Sequence, residues 1–518
     1  MEDKLRLEFE RIKHIKKEDY MPRFGKLFNT NFSNYFYDTG TGKVVSLDDE
    51  EYELMTVLFS KDDDGEKFKA VFEELSLEKQ LNFLETCSTE KLLRAKKVED
   101  LKLVLDDTDL EDQIMNHTKQ LVLEVTEKCN FRCKYCIYNE DYEGDRNFGM
   151  GVMEWETAKK AIDYVMDHSG STVSVTFYGG EPLLNYKVIK SSIEYALKKG
   201  NGKDLSFSIT SNMTLMTKEM AQFFASVPKL SFLASLDGPE MVQNAARVYS
   251  GNKPTFDDTM KGLHCLANAF ENSQNILMIN SVLIPPYEYG KINAINDFFE
   301  GLDFLPNNTE IRITYPQLDT YPFEHWDRLV NNEKYLFYGT LDPLTKWQVY
   351  QARNKGLDKE NCRNIYFYPM YSLLRLIDGR RRSEEPFDFY PCNGCCVPGA
   401  RKVYVKTNGD IQVCEKIGTS PVLGNIETGI NIQKVQEVFV DNYVNASIAD
   451  CAKCWAINIC GNCYANSYTE TGIDIENKRQ YCMAMQEAYK DNLSVFYTLM
   501  EECPGILDVL KGSVYANP

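Results

Sequence analysis

The sequence predicts an α/β fold built on a partial (β/α)6 barrel, with a small α+β unit before it and a cysteine-dense segment after it. Two observations carry that expectation. From Gln120 to Thr314, six short apolar runs alternate with amphipathic stretches, and such alternation means parallel strands joined by right-handed crossovers. Further on, nine of the sixteen cysteines lie between Cys392 and Cys482. Six units are too few for an eight-fold barrel of about 250 residues, which leaves an open partial barrel, with a doubly wound sheet as the alternative.

Residues 1–105 form the first expected unit. Asn34–Tyr37 and Lys43–Ser46 flank Asp38-Thr39-Gly40-Thr41-Gly42, whose glycines suit a hairpin turn. Ser46 followed by Asp49 resembles a capping box, opening a helix through Leu54, Val57 and Leu58. Helical periodicity continues at Phe68–Leu75 and Leu77–Leu84, and the charged stretch from Arg94 to Met115 has the composition of a linker. The barrel occupies residues 106–320. Its strands are expected at Leu121–Thr126, Val173–Phe177, Phe207–Thr210, Phe232–Leu236, Leu277–Leu283 and Ile311–Thr314. Its helices are expected at Trp155–Met166, Val188–Leu197, Lys218–Ala225, Phe256–Ala269 and Ala294–Phe299. A bridging region, 321–385, holds an aromatic and Arg-rich helix at Tyr366–Arg382. The cysteine-dense segment spans 386–485, and 486–518 forms a helical tail with its helix at Gln486–Leu499.

Composition narrows the function. At roughly 100–200 residues per domain, 518 residues make about three domains. Hydrophobic residues at 43% and charged residues at 26% exclude extensive disorder. A net charge of −19 repels phosphate backbones and anionic lipid, so neither nucleic acid nor membrane is an expected partner. No apolar run approaches the ~18 residues of a membrane span. The opening Met1-Glu2-Asp3-Lys4-Leu5 has no signal-peptide apolar core, which points to the cytoplasm. In that reducing compartment, clustered thiols are metal ligands more often than cross-links.

The first cluster of thiols, Cys129-Asn130-Phe131-Arg132-Cys133-Lys134-Tyr135-Cys136, follows the first strand of the barrel. A [4Fe–4S] cluster has four irons and ordinarily takes four thiolates. Three cysteines on one tight loop hold three corners and leave an iron open to chelate a small bidentate ligand. A zinc site, which wants a fourth ligand and wider pair separation, and inert cysteines are the alternatives. Polar groups end the next strands: Tyr178-Gly179-Gly180-Glu181-Pro182, then Thr210-Ser211-Asn212, then Ser235-Leu236-Asp237-Gly238-Pro239. Strand ends are where barrel sites are built, so these groups together form a candidate pocket.

Cys-X3-Cys-X2-Cys with Tyr135 as its aromatic, followed by Gly179-Gly180-Glu181-Pro182 and Ser235-Leu236-Asp237-Gly238-Pro239, resembles the radical S-adenosylmethionine (SAM) superfamily over about residues 118–320. The resemblance implies that Cys129, Cys133 and Cys136 hold a SAM-cleaving [4Fe–4S] cluster and that the backbone at Tyr135 meets the adenine. It implies that Gly179, Gly180 and Glu181 hold the methionine amino group, and that Ser211, Asn212, Ser235 and Asp237 line the ribose side. Arg247 is the candidate partner of the methionine carboxylate.

The second cluster of thiols has Cys451-X2-Cys454-X5-Cys460-X2-Cys463, with Cys482 beyond it and Cys392, Cys395, Cys396 and Cys414 before it. Five residues between the two pairs are too few for a zinc ribbon. Nine thiols suit two four-ligand clusters with one cysteine spare; a single cluster or zinc is the alternative. The segment resembles the SPASM domain, which carries two auxiliary [4Fe–4S] clusters, making three in all. By that resemblance Cys451, Cys454, Cys460 and Cys482 hold the distal cluster, while Cys396, Cys414 and Cys463 hold the near one. Cys392 or Cys395 is the candidate fourth near ligand, and without either that iron is open to a substrate thiolate. The pattern departs from the usual one in having two residues, not three, between Cys460 and Cys463.

Cys396-Val397-Pro398-Gly399-Ala400-Arg401-Lys402, with Cys414-Glu415-Lys416 and Gly424-Asn425-Ile426, is similar to thioether-forming peptide maturases, the sactipeptide and ranthipeptide synthases. The N-terminal unit is similar to their winged-helix-like leader-binding element, which adds a peptide as an extra strand. The implied partners are a precursor peptide with a leader and a Cys-containing core, and an external electron donor such as flavodoxin or ferredoxin. The implied reaction is hydrogen abstraction from the core peptide followed by C–S bond closure. A C–C or C–O cross-link, epimerisation or formylglycine formation is the alternative on the same machinery. An iron–sulfur electron carrier or a zinc-organised binding module is the alternative outside it. Glu415, at a position where related sulfatase-maturing enzymes carry an Asp base, and Cys362, as proton donor or radical quencher, are the catalytic candidates. The basic run Arg380-Arg381-Arg382 is a candidate grip on an acidic leader.

Overall fold

The computed structural model describes residues 2–18, 20–61, 65–103, 109–138, 148–316 and 343–511. Outside the described residues lie 1, 19, 62–64 and 104–105 of the first unit, 106–108, 139–147 and 317–320 of the barrel, 321–342 of the bridging region and 512–518 of the tail.

The N-terminal chain forms α1 (Glu2–Glu18), β1 (Gly25–Asn29), β2 (Asn34–Asp38), β3 (Val44–Leu47), α2 (Asp49–Phe59), α3 (Glu66–Glu74) and α4 (Leu77–Thr89). The three strands make an antiparallel sheet in the order β1-β2-β3, over a core containing Phe24, Phe36, Leu54, Leu58, Phe68, Phe83 and Cys87. The expected hairpin is β2–β3. Its turn is fixed by Asp38, whose carboxylate accepts from Thr41 N and Oγ1 and from Leu93 N, each at 2.8 Å. The capping box lies two residues later than the sequence suggested. Ser46 is paired with Tyr35 inside β3, so Asp48 caps α2 instead, reciprocally with Glu51.

Arg94 to Met115 is not a free linker in its described part. Leu101–Lys102 forms β4, Leu110–Asn116 forms α5, and Val98, Leu101 and Ile114 enter the main core, because buried apolar residues punctuate the charged ones.

The six apolar runs become β5 (Gln120–Thr126), β6 (Thr172–Gly179), β7 (Asp204–Ser211), β8 (Leu230–Ser235), β9 (Ile276–Val282) and β10 (Glu310–Thr314). They are linked by α6 (Trp155–His168), α7 (Tyr186–Lys199), α8 (Lys218–Ser226), α9 (Glu240–Ala246) with α10 (Phe256–Phe270), and α11 (Tyr289–Glu300). All six strands are parallel and neighbour one another in chain order. A doubly wound sheet reverses its order at a switch point, so the unbroken strand order excludes that alternative; crossovers of the usual right hand put the helices linking such strands on one face of the sheet.

The sheet does not stop at six strands. Tyr390–Pro391 (β11) pairs with β4, and Val403–Val405 (β12) extends the main sheet by pairing in parallel with β5. Asp410–Gln412 (β13), Gly424–Asn425 (β14) and Gly429–Ile430 (β15) continue it antiparallel. Pro343–Lys355 (α12) and Phe367–Asp378 (α13) follow the barrel. Gly379 ends α13 by donating to Arg375 O, so the expected helix to Arg382 stops four residues short. Asn442–Cys451 (α14) and Ile475–Glu502 (α15) frame the second thiol cluster. Asp474 caps α15, which begins well before the expected Gln486 and carries Cys482 two turns in. Among the described residues no helix is long and apolar enough to cross a membrane.

Candidate functional site

The loop bearing Cys129, Cys133 and Cys136 leaves the C-terminal end of β5 and is held from two sides. Arg132 N donates to Val248 O at 2.7 Å and Lys134 N to Ala246 O at 2.9 Å, which ties the loop to the end of α9 and the segment that follows it. From the end of β6, Gly180 N donates to Thr126 O and Glu181 N to Lys128 O, each at 2.8 Å. That approach accounts for both glycines. A Cβ on Gly179 would lie 2.2 Å from Thr126 O and one on Gly180 2.2 Å from Lys128 O, and Gly179 has a φ of +135°.

One cavity of about 200 Å³ collects most of the sequence-predicted site. The three cysteines and Tyr135 line it together with Gly179, Gly180 and Glu181 from the end of β6. Ser211 at the end of β7, Asn212 just beyond it, Ser235 at the end of β8, and Arg247 line it too. Glu181 is 1% exposed and accepts from Ser211 Oγ and Asn212 N at 2.8 Å and from Leu183 N at 3.0 Å. Burial raises its pKa, and those donors oppose the rise.

Asp237, expected to line the ribose side, does not line the cavity; it is buried behind Tyr135, accepting from Val282 N at 3.0 Å and from Tyr135 Oη at 2.5 Å. Arg247 Nη1 donates to the same phenol oxygen at 2.9 Å and lies 3.9 Å from Asp237 Oδ1. Arg247 Nε is buried without a partner among the described residues. An arginine with an unused buried donor, on a cavity that also holds three thiols, has the donor set for an anionic group such as an amino-acid carboxylate. Burial pushes the Cys129 thiol up to about 12, with Glu181 adding to the rise, and burial also raises Cys133 and Cys136. Coordination is what deprotonates thiols in such surroundings.

In the second thiol cluster, Cys451 ends α14, Cys454 and Cys460 sit in the loop after it, and Cys482 faces them from α15. Burial raises the thiols of Cys451, Cys454 and Cys460, and the nearby charge of Cys482 adds to the rise in each. Cys395 interacts with Cys392 and with Cys463, and Cys396 interacts with Cys463. Cys414 lies beside Glu415 and Lys402. Among the described residues no three His, Cys, Asp or Glu side chains converge as ligands of a single metal ion. The thiolates of a four-iron cluster differ in that each holds its own iron.

Glu415 accepts from Lys402 Nζ at 2.6 Å, and its Oε2 is buried without a partner among the described residues. It adjoins Cys396 and Cys414, not the first cavity. Cys362 stands apart from both groups. It is 5% exposed, packs against Phe367 and Tyr371, donates to Lys359 O at 2.9 Å, and burial raises its thiol to about 12. The Arg380–Arg382 run folds back from α13, with Arg380 Nε donating to Gly42 O at 2.9 Å and Arg381 Nη1 to Phe389 O at 3.3 Å.

The sequence reading missed Asn280 and Val282, which line the cavity from the end of β9, although the strand-end rule that found Ser211 and Ser235 applied equally to that strand. It also missed Asn130, which accepts from Asn212 Nδ2 at 2.8 Å and donates to Thr214 Oγ1 at 2.9 Å, fastening the cysteine loop to the segment after β7; nothing in its spacing marks it.

A family model described as the radical SAM superfamily matches residues 123–298. Protein MJ0907 of Methanocaldococcus jannaschii is 32% identical, over 61% of this chain and 93% of its own length. The radical SAM cyclopropyl synthase TigE of Paramaledivibacter caminithermalis is 26% identical over 32% of this chain and 35% of its own, so the chain spans about a third of that relative. Among solved structures, native anSMEcpe with bound AdoMet superimposes with a TM-score of 0.54, covering 76% of this chain and 100% of that one at 18% identity, a likeness of fold.

Proposed function

The chain belongs to the radical SAM superfamily, enzymes that bind SAM and a [4Fe–4S] cluster, and from that premise we propose that it is a peptide maturase forming Cys thioether cross-links. The observation that carries the enzymatic part is the single cavity lined by three thiols, two glycines, Glu181 and Arg247. When bound, the cofactor pair supplies reductive SAM cleavage and hydrogen abstraction. In this reading Cys129, Cys133 and Cys136 hold the cluster, and the Gly179–Glu181 turn receives the methionine amino group. Arg247, held by Tyr135 and Asp237, receives the carboxylate. Ser211, Asn212 and Ser235 orient the ribose side. Apart from Arg247, these residues come from the ends of four consecutive strands, β5 to β8, so the sheet itself sets their spacing.

A peptide substrate is supported from the N-terminal unit. β3 has β2 on one side and, among the described residues, no strand on the other. Val45, Ser46 and Leu47 of β3 line a small cavity with Met55, Phe83 and Thr86, a place for alternate side chains of an added strand. A further structure of anSMEcpe carries AdoMet and a Kp18Cys peptide. The nine C-terminal cysteines support auxiliary [4Fe–4S] clusters that accept the surplus electron, with Cys451, Cys454, Cys460 and Cys482 as one ligand set. Cys396, Cys414 and Cys463 belong to the other, and Cys395, beside Cys463, suits its fourth place better than Cys392.

Anaerobically reconstituted protein given SAM and dithionite should release 5′-deoxyadenosine, and the Cys129→Ala, Cys133→Ala, Cys136→Ala triple variant should not. Absence of product from the iron-replete parent overturns the enzymatic reading. Mass spectrometry of a co-expressed Cys-containing precursor decides the bond: loss of two hydrogens per cross-link at a Cys supports a thioether, and unchanged mass with inverted chirality points to epimerisation instead.

A further inference from the structure

Lys478 is a charge in an unexpected place. It sits on the first turn of α15, four residues before Cys482, and is 1% exposed. Its Nζ lies 4.0 Å from Cys451 Sγ and 3.9 Å from Cys482 Sγ, and 5.3 Å from the Tyr443 ring centroid. Among the described residues it has no carboxylate within ion-pair distance. A buried ammonium is costly unless an opposite charge compensates it, and neutral thiols or one aromatic face do so poorly. Thiolates around a four-iron centre compensate it well, because such a centre with four thiolates is a net anion. One of those sulfurs has a further donor, Asn462 Nδ2, at 3.4 Å from Cys482 Sγ.

We propose that Lys478 is the built-in counter-cation of the auxiliary cluster held by Cys451, Cys454, Cys460 and Cys482, and that it raises that cluster's reduction potential. The inference rests on the reading that these four cysteines hold a cluster. Lys478 is a positioning residue: it touches ligand sulfurs and acts through them. Reduction adds one electron and one negative charge to the cluster, so a fixed cation beside two of its thiolates stabilises the reduced state more than the oxidised one. The charge thereby makes this cluster a better acceptor for the surplus electron of the proposed reaction.

The test uses the full chain with Cys129, Cys133 and Cys136 all changed to Ala, reconstituted anaerobically, with iron and sulfide counted and the clusters titrated by EPR-monitored reduction. The relevant signal is the one that Cys454→Ala abolishes. With Lys478→Met, the reduced-to-oxidised ratio at the parent's midpoint should fall about tenfold, which is about 59 mV for a one-electron couple. Lys478→Arg, which keeps the charge, should titrate close to the parent. Equal iron and an unchanged midpoint in Lys478→Met overturn the proposal while leaving the cluster reading intact. If Lys478→Met loses one cluster's iron and Lys478→Arg retains it, the charge is required and the proposal stands. Loss in both variants shows a demand for shape and overturns it. A parent without iron overturns the cluster reading itself, a separate failure visible before any titration.

Discussion

The phenol of Tyr135 joins two opposite charges that do not meet well on their own. Asp237 and Arg247 are 3.9 Å apart at their nearest recorded atoms, whereas Tyr135 Oη is 2.5 Å from one and 2.9 Å from the other. Tyr135→Phe leaves Asp237 without its phenol donor and Arg247 with a second idle nitrogen, and a lost hydrogen bond to a charged group is worth about 1.5–3 kcal/mol. SAM affinity of the reconstituted protein, measured by equilibrium binding, should fall about 10- to 100-fold while iron content holds. Unchanged affinity would remove Tyr135 from the binding machinery. Behind this trio, Lys291 donates to Ile284 O at 2.6 Å, and burial lowers its pKa to about 8 despite the pull of Glu288 and Asp237. A lysine lowered on folding leaves the folded state with fewer protons than the unfolded chain between about pH 8 and the ordinary 10.5. Unfolding free energy should therefore gain a rising component across that window. Lys291→Met should remove that component, and denaturant titrations of both proteins at pH 7.5 and 10 would show the difference; parallel pH responses would contradict it.

At the scale of elements, the edge of β3 and the turn after α13 make one continuous surface. Lys43, Val44, Val45 and Ser46 share an open cleft with Arg380 and Arg382. Arg380 is spent on Gly42 O, Ile377 O and Tyr497 Oη, whereas Arg382 has a half-exposed side chain and contacts only Asp378 among its recorded partners. If an acidic leader pairs with β3, Arg382→Glu should weaken its binding about tenfold at low salt and less at high salt, by fluorescence anisotropy of a labelled leader. A salt-independent, unaltered affinity would place the leader elsewhere. The same elements mark the limits of sequence reading. The six barrel strands were legible because each runs five residues or more, buried at alternate positions as in Thr172–Gly179 or continuously as in Leu121–Thr126. The strands β12 to β15 were not, since two or three residues carry no period and Val403–Val405 becomes a strand only by pairing with β5. Ser46 misled because a hydroxyl before an acidic run fits a cap by composition, while its backbone belonged to a ladder. The first cavity was largely foreseen because its residues sit at strand ends in short motifs; Arg247's tie to Tyr135 spans 112 positions and has no local signature.

Across the whole molecule, the proposed distal cluster and the N-terminal unit share a loop. Between Cys454 and Cys460 lie Trp455 and Asn458, and both reach the β2–β3 turn: Thr39 Oγ1 donates to Trp455 O at 2.8 Å and Asn458 Nδ2 to Thr39 O at 2.6 Å. Trp455 also packs edge-on against Tyr37, in a core with Phe28, Met370, Leu374 and Phe496 that joins β1 and β2 to α13 and α15. Ligands at both ends of a five-residue loop would fix its shape, so cluster binding is linked to the docking of the unit proposed to hold the leader. Removing the clusters with chelator under reducing conditions should loosen that docking before it unfolds the barrel. Hydrogen exchange at Phe36–Gly42 should then accelerate about tenfold or more, while β6 and β7, remote from the loop, keep their protection. Exchange at 36–42 that is indifferent to iron would show that Tyr37 and its apolar neighbours dock the unit unaided, and would uncouple leader capture from the state of the clusters.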